Sequence, residues 1–242
     1  MFYMVIRTEN LTKYYGHQLG VNELTLEVEP GEVFGLLGDA GAGKTTAIRM
    51  LLDFARPTSG RALVLGREVH RHSLEIRREV GYLPANFSLS GYATGEACLR
   101  TLASLRGNVS WDYVVQLSRC LGVDLYKKCS RLTLCEQQKL GLVQAFMHKP
   151  EVLILDEPSR ALDMESQLAL FHLISDVRRE GRSVFYATRS QYEVERICDR
   201  VGILDQGRLI KVERTVRLRG RAAANAALAA HKVENGIAAL AI

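Results

Sequence analysis

The chain has 242 residues, of which 47% are hydrophobic and 24% are charged, a composition typical of a folded protein with one compact core. No uninterrupted apolar run approaches the length that crosses a bilayer, and the start MFYMVIRTENL has no charged leader before an apolar stretch. We therefore expect neither a membrane-spanning nor a secreted protein. The net charge of +5 comes from scattered basic residues, which favours an ordinary solvated surface and no nucleic acid partner.

Cysteine usage favours a reducing compartment. The cysteines are odd in number, and no two of them form a Cys-x-x-Cys pair. Free thiols are therefore expected, rather than disulfides or a zinc site, at Cys98, Cys120, Cys129, Cys135 and Cys198.

The first part of the chain alternates between strand and helix patterns. EVFGLL at 32–37 predicts a short buried strand that runs into a glycine-rich loop, and 44–54 has the spacing of a helix. A turn at 56–60 precedes another predicted strand, RALVLG, at 61–66. This alternation indicates an α/β fold with a largely parallel sheet.

From about 88 to 148 the patterns are helical only, which predicts a helical lobe inserted into the α/β core. The chain returns to the core with EVLILD at 151–156, a nearly continuous apolar run typical of a strand buried on both faces. SVFYAT at 183–188 predicts another such strand, and VGILDQGRLI at 201–210 predicts a hairpin around Asp-Gln-Gly.

These patterns divide the chain into three parts. Residues 1–87 and 150–212 form the predicted core, and 88–149 form the predicted helical lobe. The remaining residues, 213–242, carry arginines followed by AAANAALAA, which has high helix propensity but little to pack against. We expect this tail to be poorly ordered.

The segment GDAGAGKTT satisfies the phosphate-loop pattern G-x-x-x-x-G-K-[ST] between a predicted strand and a predicted helix. Its glycines let backbone N–H groups curl around phosphate oxygens, and the helix presents its positive end to the same oxygens. Lys44 is expected to reach the β- and γ-phosphates, and the Thr45 hydroxyl to bind Mg²⁺. The predicted nucleotide contacts of this loop are Gly38, Asp39, Ala40, Gly41, Ala42, Gly43, Lys44, Thr45 and Thr46.

The segment LILDEP carries two acids directly after a buried strand. Asp156 is expected to hold the Mg²⁺ shell, usually through water, and Glu157 to polarise an attacking water. The alternative is a surface loop that carries acids by chance, and the phosphate loop in the same chain favours the nucleotide site.

The segments GDAGAGKTT, EQQKLGL, LILDEP, SRALD and CDRVGILDQGRLI resemble, in this order, motifs of ATP-binding cassette (ABC) transporter ATPase subunits. The resemblance covers roughly residues 3–212. It implies a RecA-like P-loop NTPase core with an N-terminal antiparallel β part and an inserted helical subdomain. It also implies a dimer with two ATP molecules between its subunits, each held by the phosphate loop of one subunit and the signature helix of the other.

The same resemblance implies the partners of the chain. These are a membrane-spanning permease subunit and a second ABC ATPase subunit, in a homodimer or a heterodimer. The chain would be a cytoplasmic protein held on the inner face of the cell membrane by its permease. GYLPANFSL and QKLGLVQAFMHKPEVLILDEP are most similar to the bacterial export branch, which includes antibiotic and multidrug exporters.

Two further residues match family positions. Tyr15, in LTKYYG, matches the aromatic residue that stacks on adenine, an interaction worth about 1–3 kcal/mol per base. The alternatives are that Tyr14 serves instead, or that both tyrosines belong to the core. Asp163, in SRALD, matches the loop that contacts the opposite subunit.

The chain departs from the family pattern in GYLPAN, where relatives usually carry glutamine after GYLP. That glutamine touches Mg²⁺ and senses the transmembrane partner, whereas Ala85 has no polar group. Asn86 beside it is a candidate substitute.

A second departure is RLTLCEQQ, where family members have a form of LSGGQ. Thr133 keeps the hydroxyl that would bond a γ-phosphate of the facing subunit, but Leu134 and Cys135 replace two glycines whose amides approach that phosphate. Glu136 adds a charge that repels a polyanion. T-x-x-E is also a capping box, so we expect a helix start with weakened phosphate recognition.

The third departure is FYATRSQYEVE, where the family places a histidine after the strand. Arg189 stays protonated and has no acceptor, so it neutralises phosphate charge without acting as donor and acceptor together. The alternative is that Arg189 pairs with Glu193, four residues on, at a helix start.

Two hypotheses follow, and both include ATP binding. In the first, the chain is an ATPase that drives a membrane subunit, with Glu157 as its intact base. In the second, it is a regulatory subunit that binds ATP, hydrolyses it weakly and needs a more complete partner. One lost polar contact at a reacting centre typically costs about 10²–10³ in rate, so the departures bear directly on this choice. A soluble ABC ATPase acting on nucleic acid would need a second cassette or a coiled-coil arm, and the chain has neither.

Overall fold

A computed structural model of the chain describes residues 4–89 and 93–215. Within these two ranges, no helix is both long enough and apolar enough to cross a bilayer. The last strand continues to Arg214, past the predicted core boundary at residue 212, and Thr215 Oγ1 donates to the Cys198 carbonyl. The remainder of the predicted tail lies outside the described residues.

An antiparallel sheet of four strands forms the N-terminal part of the fold, as predicted. Strand β1 (Ile6–Tyr15) pairs with β2 (Gln18–Val28) on one side and with β4 (Ser59–Val64) on the other, and β5 (Arg67–Glu68) pairs with β4. The predicted strand at 61–66 therefore begins two residues earlier and ends at Val64, because Leu65 and Gly66 both adopt positive φ in the turn to β5.

The second sheet has six strands in the order β10-β9-β3-β8-β7-β6. The five strands from β9 to β6 in this order are parallel to one another. Strand β10 forms an antiparallel hairpin with β9. Their bounds, in chain order, are β3 (Val33–Leu37), β6 (Val80–Leu83), β7 (Val152–Asp156), β8 (Ser183–Thr188), β9 (Arg200–Asp205) and β10 (Arg208–Arg214).

Both faces of the parallel sheet are buried, which explains the continuous apolar runs in β7 and β8. Alternate residues of β7 enter different clusters: Leu153 and Leu155 pack against the helical lobe, whereas Val152 and Ile154 pack towards the antiparallel sheet. The sheet is thus the shared wall of two hydrophobic cores.

Seven α-helices surround the sheets in the described residues. Helix α1 ends at Leu51 rather than at the predicted residue 54, because Asp53 turns to positive φ. The side chains of Thr94, Ser110, Thr133, Asp163 and Ser190 cap the N-termini of α3 to α7. The bounds are α1 (Lys44–Leu51), α2 (Ser73–Glu79), α3 (Gly95–Arg106), α4 (Trp111–Cys120), α5 (Leu134–Phe146), α6 (Met164–Arg179) and α7 (Gln191–Ile197).

Candidate nucleotide site

The phosphate loop lies between the carboxyl end of β3 and the start of α1. Glycine is required at two of its positions: a Cβ on Gly38 would collide with the carbonyl oxygen of Leu204, and one on Gly43 with that of Gly20. Gly43 also has φ 108°, which a residue with a side chain rarely adopts. The close approach of neighbouring backbone therefore fixes the shape of the loop.

Lys44 is folded into the loop that precedes it. Its side chain is only 6% exposed, and Nζ donates to the carbonyl oxygens of Gly38 at 2.6 Å and Asp39 at 3.1 Å. The ammonium group is thus held at the centre of the loop, where backbone amides and the start of α1 also concentrate positive charge.

Asp156, the last residue of β7, contacts Thr45 in the first turn of α1. Thr45 Oγ1 donates to Asp156 Oδ2 at 2.7 Å, and Asp156 is fully buried. Within the described residues, Oδ1 of Asp156 has no hydrogen-bond partner, and burial raises the pKa of this carboxyl. A buried carboxylate oxygen without a partner beside a hydroxyl is the donor set that a hard cation such as Mg²⁺ prefers, so these residues fit the predicted ion.

Glu157 occupies a strained position next to this pair. Its φ of 48° lies in the left-handed region, and its N–H donates to the Ala187 carbonyl at 2.8 Å, which holds the loop against β8. Oε1 lies 3.3 Å from Lys44 Nζ and 3.4 Å from Arg189 Nε. One carboxylate oxygen is therefore shared by two cations.

The alternative pairing of Arg189 with Glu193 is wrong. Arg189 precedes the Ser190 cap of α7, so it is not on the helix face that the four-residue spacing assumes, and it turns to Glu157. Glu193 is buried and accepts from three hydroxyl groups, those of Ser159, Tyr186 and Thr188.

A cleft of about 460 Å³ brings most of the predicted residues together. Tyr15 lines it and Tyr14 does not, because successive residues of β1 point to opposite faces. Ala85 and Asn86 also line it. The sequence analysis missed four lining residues, which are Gln18, Leu19 and Gly20 from the β1–β2 hairpin and Arg160 from SRALD. Their only sequence signal is their position beside Tyr15 and Glu157.

The signature-like segment Thr133–Glu136 does not line this cleft. The predicted capping box is present: Thr133 N–H donates to Glu136 Oε2 at 2.8 Å, and Glu136 N–H donates to Thr133 Oγ1 at 3.2 Å. Leu134 is 76% exposed on this surface, so its bulk faces outward as expected. The charge of Glu136 is not left free, because Lys127 Nζ donates to it at 2.7 Å, which lowers the pKa of Glu136 to about 2.

Asp163 begins α6 and ties it to the signature helix. Its Oδ1 accepts from the Ser166 N–H and hydroxyl, and its Oδ2 lies 3.0 Å from Lys139 Nζ and 3.5 Å from Cys135 Sγ. The hydrogen bonds from Ser166 hold the pKa of this carboxyl well below its usual range. Asp163 also lies outside the cleft.

A strand–glycine loop–helix unit with a lysine at its centre, and two acids at the end of one other buried strand of the same sheet, define a P-loop nucleotide-binding protein. The sequence model of the ABC transporter family matches residues 21–160. The bacitracin transport ATP-binding protein BcrA of Enterococcus faecalis is 37% identical over 210 residues, which span 86% of this chain and 68% of that protein.

Solved structures agree with this relationship. One described as an ATP binding subunit of an ABC transporter has a TM-score of 0.82 and 26% identity, covering 90% of this chain and 92% of the other. A dimeric bacterial ABC transporter cassette, MJ0796, has a TM-score of 0.79 at 21% identity, covering 87% and 98%, and shows the shared fold. The chain therefore belongs to the ABC transporter family, as one of its ATP-binding subunits. The family and the fold predicted from the sequence are confirmed.

Proposed function

We propose that this chain hydrolyses ATP to power a separate membrane-spanning subunit of an exporter. The observation that carries the proposal is one cleft lined by Lys44, Thr45 and Glu157 together with the exposed aromatic ring of Tyr15. The buried Asp156 is joined to this cleft by the hydrogen bond that it accepts from Thr45. The cleft volume of about 460 Å³ lies in the usual range for small-ligand sites. The relationship to a bacitracin transport protein supports the export branch.

Each of these residues has a role that its contacts support. Lys44 neutralises the phosphates from inside the loop, and Tyr15 stacks on the adenine base. Thr45 and Asp156 would hold Mg²⁺, and the ion would supply positive charge for the phosphate oxygens. Glu157 accepts a proton from the attacking water, and the hydrogen bond from its backbone N–H to the Ala187 carbonyl holds the residue in place.

The signature-like segment is proposed to act on a second ABC ATPase subunit. Thr133 and Leu134 are exposed and lie outside this chain's own cleft, so any nucleotide they contact belongs to another subunit. Asp163 stands beside them and would contact the same partner. The proposed assembly is therefore a dimer, homomeric or heteromeric, attached at the inner face of the membrane by its permease.

A second candidate function is favoured by one specific contact. Arg189 pairs with Glu157, and the chain has Leu134 and Cys135 in place of the glycines expected at the signature. A subunit with these features would bind ATP tightly and hydrolyse it slowly, acting as a regulatory clamp beside a more complete partner.

ATP turnover by the purified chain, measured beside its Glu157→Gln variant with nucleotide binding determined for both, tests these functions. The motor function predicts binding by both proteins and turnover that falls about 10²–10³-fold in the variant, because a preorganised group at the reacting centre is lost. Binding by both proteins with no turnover in either would favour the regulatory clamp. Absence of ATP binding would exclude both.

A further inference from the structure

A buried carboxylate lies directly behind the loop that carries Glu157. Glu193, in the first turn of α7, is 8% exposed and does not line the nucleotide cleft. Its Oε1 accepts from Ser159 Oγ at 2.5 Å, and its Oε2 accepts from Tyr186 Oη at 2.9 Å and from Thr188 Oγ1 at 2.8 Å. Hydroxyl groups from two separate segments therefore converge on one side chain.

These two segments carry the residues around the proposed reacting water. Ser159 follows Glu157 by two residues, and Thr188 immediately precedes Arg189. The Glu193 carboxylate thus bridges the backbone that positions the proposed base and the backbone that positions its cationic neighbour. On its other side the Glu157 loop is held by Gln138, whose Nε2 donates to the Pro158 carbonyl at 3.0 Å.

The contacts of Glu193 indicate that it holds two segments together by hydrogen bonds rather than by pairing with a positive charge. Among the described residues, no lysine or arginine forms an ion pair with Glu193, and Arg189, four residues before it, pairs with Glu157 instead. A buried carboxylate costs free energy unless hydrogen bonds satisfy it. Here the hydrogen bonds come from the hydroxyl groups of Ser159, Tyr186 and Thr188. Such bonds fix the separation of the two segments.

We propose that Glu193 is a positioning residue for ATP hydrolysis, holding the Glu157 and Arg189 segments at a fixed separation through Ser159 and Thr188. The inference rests on the proposed function. Glu193 does not line the nucleotide cleft, so its effect passes through the geometry of the two segments that it joins. Misplacement of a reacting group by about 1 Å can cost about 10²-fold in rate, so a partly released loop is expected to show a measurable loss.

The test compares Ser159→Ala with Ser118→Ala. Each variant removes one buried serine hydroxyl, but Ser118 Oγ donates within α4, to the Val114 carbonyl at 2.7 Å, and lies outside the cleft. In Ser159→Ala we expect kcat to fall about tenfold, with the KM for ATP within about twofold of the parent chain, because only loop position changes. Amide hydrogen exchange at residues 157–163 should become faster. Ser118→Ala should leave kcat, the KM for ATP and the exchange at residues 157–163 unchanged.

A double variant sharpens the test. Ser159→Ala and Glu193→Gln disturb the same bond, so the double variant should turn over ATP about as slowly as Glu193→Gln alone. Fully multiplied rate losses would show independent roles and would overturn the inference. So would unchanged turnover together with unchanged exchange in Ser159→Ala.

Amide hydrogen exchange tests the role of Glu193 even if the chain does not hydrolyse ATP. If the parent chain binds ATP but does not turn it over, the proposed motor function fails. In that case, faster exchange at 157–163 in Ser159→Ala would still support the bridge, and unchanged exchange would refute it.

Discussion

The phosphate-loop side and the signature-like side of this chain differ in how their polar groups are arranged. At the phosphate loop, Lys44 and Thr45 line the cleft, and hydrogen bonds of 2.6 to 3.1 Å hold them to backbone carbonyls and to the buried Asp156. At the signature-like side, Thr133 is occupied in a capping box, and Leu134 stands out into solvent.

The two sides are proposed to have different tasks in a site formed by two subunits, in which the phosphate loop of one subunit faces the signature-like segment of the other. The cleft side keeps the groups that are proposed to bind and orient a nucleotide within this chain. The signature-like side keeps the groups that start a helix, whereas its amides are screened by side chains where glycine would leave them open. Binding is therefore expected to survive changes that reduce turnover, and the two sides can be tested independently.

Restoring glycine at the signature-like side should have the largest effect. In the Leu134→Gly/Cys135→Gly variant we expect turnover to rise about tenfold, because backbone amides at the start of α5 become accessible to a phosphate of the facing subunit. ATP affinity at the chain's own cleft should stay the same. Leu105→Gly, which also removes an exposed leucine from a helix, is the control. An equal turnover in the two variants and the parent chain would remove the contrast between the sides.

A smaller gain is expected from Arg189→His. Histidine can donate and accept hydrogen bonds, and its introduction frees Glu157 Oε1 from one of its two cations. Turnover should rise about threefold, less than a full contact is worth, because Lys44 still shares that oxygen. Steady-state ATPase rates decide the matter, with Arg196→His on α7 as a matched substitution outside the cleft. A lower rate in Arg189→His would mean that the guanidinium assists the reaction.

The smallest effect concerns stability and pH at the signature-like side. The hydrogen bonds from Lys127 lower the pKa of Glu136 from its ordinary 4.5 to about 2, so the folded state favours the ionised form. This contribution is fully present above about pH 4.5 and is lost as the pH falls towards 2. Glu136→Gln should therefore lower the urea midpoint at pH 7 slightly and flatten its decline below pH 4.5. Glu165→Gln, in the first turn of α6, serves as the comparison; an identical pH profile in both variants would contradict this account.

The parts of the structure that could be predicted from the sequence are those determined by residues close together in the chain. The phosphate loop could be predicted because its glycines, lysine and threonine have a fixed spacing between a strand and a helix. The buried strands at β7 and β8 could be predicted because both of their faces meet apolar side chains. The capping box at Thr133 is likewise a four-residue pattern.

Contacts between distant segments could not be predicted in this way. The four-residue spacing suggested that Arg189 pairs with Glu193, but the pairing depends on where α7 begins and on the position of Glu157 in another loop. The balancing of Glu136 by Lys127 depends on the path of the chain before α5. Arg160 lines the cleft, although the sequence analysis used its segment, SRALD, only to predict a contact of Asp163 with the opposite subunit. The roles assigned to the site residues remain predictions that the variants above will test.

The strand order also has a consequence for how the chain is made. Among the strands of residues 4–89 and 93–215, β3, which leads into the phosphate loop, is hydrogen-bonded only to β8 and β9. Both of these strands come from the last third of that part of the chain. During synthesis β3 is therefore an unpaired apolar segment while the whole helical lobe is being produced. Its pairing closes long loops, which is slow compared with local helix formation. The phosphate loop is thus translated well before the strands that support it.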